Sequence, residues 1–106
     1  MKTPVTIITE ALGRVVTATE WLNGVLIPDF EVSHPKAETH GDYATNLALL
    51  LSKQVGQNPR EIAEKLITSL QNDVEIASVI DTTRISVAGP GFINFWIKEE
   101  WLLLVS

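Results

Sequence analysis

Two runs of alternating apolar and polar residues flank the tripeptide Gly89-Pro90-Gly91 near the C-terminal end of the chain. Side chains alternate between the two faces of a strand, and glycine and proline favour turns, so residues 84–98 are predicted to form a β-hairpin. In this register Val87 pairs with Ile93 and Ile85 with Phe95, on an aliphatic face. The opposite face carries Ala88 facing Phe92, Ser86 facing Asn94, and Arg84 facing Trp96.

Helical spacing of apolar residues predicts helices in the first two thirds of the chain. Pro4 fits the first turn of a long amphipathic helix that is expected to end near Asn23-Gly24. Asp42 is predicted to cap a second helix, from Tyr43 to Gln54. Residues 58–61 (N-P-R-E) combine an amide cap, a proline and a glutamate, and predict the start of a third helix.

Short strands are expected elsewhere. Phe30 to Ser33 and Val74 to Ile80 alternate like strands, and residues 81–83 resemble a turn. Residues 99–106 resemble the start of another helix. The sequence therefore predicts an α+β fold, a small antiparallel sheet of about four strands with helices packed on one face, in which residues 1–106 form a single domain.

Composition narrows the possible functions. The chain of 106 residues has no cysteine, so disulfides, thiolate metal sites and cysteine nucleophiles are excluded. No apolar run has the length of a signal peptide or a membrane span, so we expect a cytoplasmic protein without a membrane partner. The net charge of −5 argues against a domain that binds nucleic acid by charge alone.

No catalytic or metal-binding arrangement is recognisable. His34 and His40 lie in a predicted loop without a third ligand at metal-binding spacing. Ser33, His34 and Asp42 lack the sequence that presents a nucleophilic serine. The Gly89–Gly91 turn is not followed by the lysine, serine and helix that a phosphate-binding loop requires.

The row of Phe92, Asn94 and Trp96 has two interpretations. A second layer of the protein could cover it, which would make the aromatic rings part of the core. Alternatively, the row is a stacking platform for unpaired bases, with the amide reading a base edge. The residues themselves leave both open, although a buried Asn94 would need hydrogen-bond partners that Ser86 only partly supplies.

Three segments together resemble a known family. These are residues 40–48 (H-G-D-Y-A-T-N-L-A), 58–63 (N-P-R-E-I-A) and 87–95 (V-A-G-P-G-F-I-N-F), and they resemble the N-terminal additional domain of arginyl-tRNA synthetases in order and spacing. The resemblance implies a domain that contacts the D-loop at the tRNA elbow, within a ligase that attaches arginine to tRNA using ATP. Its partners would be tRNA and the catalytic domain of the parent synthetase.

The resemblance also implies site residues. The aromatic and amide positions that contact the D-loop in the family correspond to Phe92 and Asn94, and Lys98, Arg84 and Lys36 are candidate phosphate partners. The family's signatures for ATP and arginine have no counterpart here, so we expect no catalytic residue and no cofactor in this domain.

The resemblance also changes the interpretation of Trp96, which we now expect to be a packing residue with Arg84 lying on its ring. Residues 101–106 would connect to the rest of the synthetase. The competing hypothesis is a structural or protein-interaction module without direct RNA binding.

Overall fold

The computed structural model describes residues 2–22, 24–36 and 41–105, with side chains up to Leu102. Predictions that involve Asn23, His40 or Ser106 fall outside the described residues at those positions. The helices are α1 (Pro4–Ala18), α2 (Leu47–Val55), α3 (Pro59–Leu70), α4 (Val74–Val79) and α5 (Glu99–Val105), with 3₁₀ turns at Glu20–Leu22 and Thr82–Arg84. The strands are β1 (Val32–Ser33), β2 (Tyr43–Thr45), β3 (Ser86–Ala88) and β4 (Phe92–Phe95).

The four strands form one antiparallel sheet in the order β1-β2-β4-β3. Helices α2 and α3 pack on one face of this sheet, and α1 packs on α3 and α4. Ile93 and Phe95 of β4 are fully buried in the core between sheet and helices. The α+β prediction is therefore confirmed. No helix in the described ranges is long and apolar enough to cross a membrane.

The hairpin prediction is confirmed in its register. Ser86 pairs with Asn94, Val87 with Ile93 and Ala88 with Phe92, and the turn lies at residues 89–91. The ladder is shorter than predicted, because Arg84 belongs to a 3₁₀ turn rather than to the strand.

The prediction of a strand from Val74 to Ile80 is wrong, because Val74–Val79 forms α4. The carboxylate of Asp73 accepts a hydrogen bond of 3.0 Å from the backbone N–H of Ile76 and so caps the helix. Ile76, Val79 and Ile80 are buried at helical spacing, while Val74 is 86% exposed. The order of apolar residues in this segment is compatible with a strand and with a helix. The cap at Asp73 favours the helix.

The prediction that Asp42 caps a helix is also wrong. Tyr43–Thr45 is strand β2, which pairs with both β1 and β4, and the helix begins only at Leu47. The carboxylate of Asp42 instead accepts a hydrogen bond of 2.8 Å from the backbone N–H of Ile97, beyond the end of β4. Asp42 is a residue type that is common at helix starts, but here its side chain binds the backbone that follows β4.

The first and third helices begin as predicted, but the first is shorter than predicted. Helix α1 ends earlier than expected, at Ala18, and the following 3₁₀ turn brings Leu22 into the core. Helix α3 begins as predicted: the side chain of Asn58 accepts a hydrogen bond of 2.8 Å from the backbone N–H of Arg60, and Pro59 occupies the first helical position.

Candidate nucleic-acid interface

A groove of about 690 Å³ lies between the hairpin, the strands β1 and β2, and the helix α2. We call it the sheet groove. Hairpin residues form one wall, and residues of β1, β2, α2 and the segment after β1 form the rest. Its lining includes Ser33, Lys36, Ala44, Lys53, Phe92 and Asn94.

Phe92 presents its ring at this groove and is 39% exposed. Its cross-strand partner is Ala88, whose side chain is a single methyl group. The turn next to it is made of glycine and proline, and a Cβ atom placed on Gly89 would lie 3.9 Å from Cδ2 of Phe92. An exposed aromatic ring with small neighbours is a surface on which a planar group can stack.

Asn94 lies in the same groove and is only 5% exposed. Its cross-strand neighbours are Ala44 on β2 and Ser86 on β3. No hydrogen bond joins its side chain to another residue within the described ranges, although an amide can donate two hydrogen bonds and accept two. Asn94 thus belongs to the lining of the groove, although its side chain is almost completely buried.

The start of α3 holds the turn of the hairpin in place. Gly91, at φ +149°, lies so close to α3 that an added Cβ would be 2.8 Å from Cβ of Pro59. The guanidinium of Arg60 donates a hydrogen bond to the backbone carbonyl of Gly89. The second and third sequence motifs are therefore in direct contact, and together they fix the position of Phe92.

The first motif holds the opposite wall and the far end of β4. Gly41, at φ +107°, leaves 2.7 Å between an added Cβ and the carbonyl oxygen of Phe95. The side-chain oxygen of Asn46 accepts a hydrogen bond of 2.9 Å from the backbone N–H of Glu31, which ties the segment before β1 to the start of α2. Sequence analysis missed these roles, because each depends on contacts between segments distant in the chain.

Two lysines give the groove its positive charge. Lys36 follows β1 and Lys53 lies in the last turn of α2, and both line the groove; Glu31 is the acidic residue that joins them among the described residues. Neither lysine forms an ion pair with a described carboxylate. The described ion pairs lie elsewhere, where Lys2 and Arg14 contact Glu10, Asp73 and Glu75.

The predicted site residues therefore fall into two groups. Phe92, Asn94 and Lys36 meet in the sheet groove, together with Lys53, which sequence analysis did not select. Arg84 lies away from this lining, with its guanidinium carbon 3.9 Å from the centroid of the Trp96 ring, as the sequence suggested. Lys98 lines a separate cleft beside Glu99 and Glu100. The roles of these residues towards RNA stay predictions.

The fold and the groove define a small α+β domain in which an aromatic ring and an amide of one strand line the same groove. A family model described as "Arginyl tRNA synthetase N terminal domain" matches residues 5–97 of the chain. The chain belongs to this family, and the resemblance that its motifs indicated is confirmed.

Curated relatives agree with the family. The chain is 50% identical over 76 residues, 72% of its length, to the arginine–tRNA ligase of Carboxydothermus hydrogenoformans. It is 39% identical over 102 residues, 92% of its length, to that of Alcanivorax borkumensis, and 48% identical over 83 residues, 74% of its length, to that of Shewanella sediminis. These matches span only 13%, 16% and 13% of the three ligases, respectively.

Proposed function

We propose that the sheet groove binds an unpaired nucleotide in the D-loop of tRNA, as part of an arginine–tRNA ligase. The observation that carries the proposal is that the exposed ring of Phe92 and the amide of Asn94 line the same groove. Membership of the synthetase family supports tRNA as the ligand. The ligase would attach arginine to tRNA using ATP in the cytoplasm, and a separate catalytic domain would bind ATP and arginine.

The chemistry of the groove suits an unpaired base. Phe92 stacks on the face of the base, an interaction worth roughly 1–3 kcal/mol for each base. Asn94 hydrogen-bonds the edge of the same base, because an amide matches the adjacent donor and acceptor groups that bases present. A base within a duplex is stacked on both faces and its Watson–Crick edge is paired, so the groove selects loop nucleotides.

The acidity of the chain is compatible with this role. A domain with net charge −5 cannot hold tRNA by general electrostatic attraction, and its affinity in isolation is expected to be weak. Lys36 and Lys53 supply positive charge only beside the groove. We propose that the rest of the ligase holds most of the tRNA and that this domain contributes one contact at the elbow.

The test is aminoacylation by the full-length protein carrying Phe92→Ala or Asn94→Ala. Loss of one stacking or base-edge contact should lower kcat/KM for tRNA by about tenfold or more. Val74→Ala and Asn72→Ala are matched controls, since they remove an exposed apolar group and an exposed amide outside the groove. Unchanged kinetics in both groove variants would refute the proposed contact.

A protein-interaction module is the second candidate. Leu26 is 79% exposed and Ile27 44% exposed on the connection after the first 3₁₀ turn, so this connection presents apolar surface. Titration of the full-length protein with tRNA distinguishes the two functions. Salt-dependent binding that weakens in Phe92→Ala supports the tRNA contact, whereas a loss of partner-domain association in Leu26→Ser, with tRNA binding unchanged in Phe92→Ala, supports the interaction module.

A further inference from the structure

The neighbours of Asn94 across the sheet are all short. Ser33 pairs with Ala44, Ala44 with Asn94, and Asn94 with Ser86, so one row of side chains crosses the four strands. Side chains directly opposite each other in an antiparallel sheet have Cβ atoms about 4.5–5.5 Å apart. The size of the side chain at position 44 therefore determines how much free space lies beside the amide of Asn94 on the side of β2.

The two sides of Asn94 are not equivalent. Ala44 and Ser33 line the sheet groove, whereas Ser86 is exposed at the outer strand and does not line it. Asn94 is only 5% exposed and lines the groove beside its cross-strand neighbour Ala44. A ligand in the groove that contacts the amide therefore lies next to the methyl group of Ala44.

We infer that Ala44 is a specificity-determining residue of the groove, whose single methyl group leaves a recess that admits the edge of an unpaired base to Asn94. This inference rests on the proposed function, and it adds the feature that limits the shape of the ligand. A planar base edge enters the recess, and a bulkier side chain at position 44 closes it. Phe92 can still stack on a base when position 44 is bulkier, because it lies on the same strand as Asn94 but closer to the turn.

The substitution Ala44→Val is well suited to a test. Valine is favoured in strands, and Ala44 is a half-buried residue of β2, so the variant is expected to fold with an unchanged or higher melting temperature. Ser86→Val is the matched control: it places the same valine side chain beside Asn94, in the same row, but outside the groove. Ala44→Ser adds only one heavy atom and gives an intermediate point in the series.

The measurement is the dissociation constant of the full-length protein for an unmodified arginine-accepting tRNA, together with kcat/KM for its aminoacylation. We expect Ala44→Val to weaken tRNA binding by about tenfold, the loss of one base contact, with Ala44→Ser intermediate and Ser86→Val unchanged. Melting temperatures measured in parallel identify any variant that fails to fold, and Ala44→Ser then decides the test.

The outcomes separate this inference from the proposed function. If Phe92→Ala weakens tRNA binding while Ala44→Val, folded, binds as the natural protein does, then the recess is not the route to the amide and the inference is wrong. If Phe92→Ala and Asn94→Ala also leave binding unchanged, the proposed D-loop contact itself is refuted. Equal losses in Ala44→Val and Ser86→Val would show a general effect of bulk on the sheet and would also overturn the role of Ala44.

Discussion

Gly91 of the hairpin turn lies against Pro59 at the start of α3 so closely that a Cβ on the glycine would be 2.8 Å from Cβ of the proline. The neighbouring atom belongs to a proline ring at a helix start, which cannot rotate away. Gly91 also has φ +149°, a conformation that L side chains rarely adopt. The contact between the two motifs therefore requires glycine.

The first prediction concerns this contact. Gly91→Ala should lower the free energy of unfolding by roughly 1–3 kcal/mol, because it combines steric overlap with an unfavourable backbone conformation. It should also weaken tRNA binding, because Phe92 is the next residue. Urea denaturation of the full-length protein measures the first effect.

Gly13→Ala is the matched control for Gly91→Ala. Gly13 lies within α1, and an added Cβ there has no neighbour within 4 Å. Alanine should stabilise the helix by roughly 0.5–1 kcal/mol, because it loses less conformational freedom on folding. A loss of stability in Gly13→Ala equal to that in Gly91→Ala would remove the steric explanation.

The second prediction concerns Asp42, whose carboxylate binds the backbone N–H of Ile97 at 2.8 Å. Asp42→Ala leaves this partly buried donor without its acceptor and should lower the free energy of unfolding by roughly 1–3 kcal/mol. Asp42→Asn keeps an acceptor oxygen and should recover most of that loss. Amide hydrogen exchange at Ile97 provides a local readout: its protection should fall in Asp42→Ala and return in Asp42→Asn.

The hairpin was predictable because the residues that determine its register lie within the hairpin itself. Alternation with a period of two fixes which residues share a face, and the Gly89–Gly91 turn fixes the register, so the pairing of Ser86 with Asn94 follows from the sequence. The helix α3 was predictable for a similar reason, since its cap at Asn58 precedes the proline that starts it.

The errors arise where local signals are compatible with two structures. Asp42 is a residue type that is common at helix starts. The residues that follow it form a strand because they pair with β4, which is distant in the sequence. At Val74–Val79 the capping residue Asp73 and the spacing of Ile76 and Val79 were available signals that alternation obscured.

The groove could be predicted only in part. Phe92 and Asn94 share a face by periodicity, but Ala44 and Lys53 join them through the pairing of β2 with β4 and the packing of α2 on the sheet. Periodicity says which way a side chain points within a strand, and it does not say which distant strand will be its neighbour.

The third prediction concerns the two lysines of the groove. If Lys36 and Lys53 contact phosphates beside the bound base, Lys53→Gln should change how the tRNA association constant depends on salt. The slope of its logarithm against the logarithm of salt concentration should become shallower by about 0.7, the value for one phosphate contact on a single strand. Lys36→Gln should do the same. Glu31→Gln, which removes the acidic residue of the same groove, should instead strengthen binding at low salt.

Lys65→Gln is the matched control for the lysine variants. The ammonium of Lys65 lies 4.5 Å from the centroid of the Trp21 ring, away from the groove lining. Its substitution should leave the salt dependence of tRNA binding unchanged. A slope that falls equally in Lys65→Gln and Lys53→Gln would indicate a diffuse effect of net charge rather than a contact in the groove.

The last prediction concerns acid stability and the contact between α1 and α4. Burial raises the pKa of Asp73, but the hydrogen bond from the backbone N–H of Ile76 and the contacts with Arg14 outweigh it and hold the pKa below its ordinary value. The guanidinium of Arg14 binds both carboxylate oxygens, at 2.9 and 3.0 Å. Because the folded pKa lies below the unfolded one, the ionised carboxylate stabilises the fold above a pH of about 3.9.

This stabilisation is lost as the pH falls from about 3.9 through the folded pKa of Asp73. Asp73→Asn keeps an acceptor for Ile76 but removes the charge, so its melting temperature should change less than that of the natural protein across this range. Arg14→Gln removes one of the contacts that lower the pKa of Asp73 and should shift the acid transition towards higher pH. Thermal melts at a series of pH values measure both, and an acid transition equally steep in Asp73→Asn would assign it to other carboxylates.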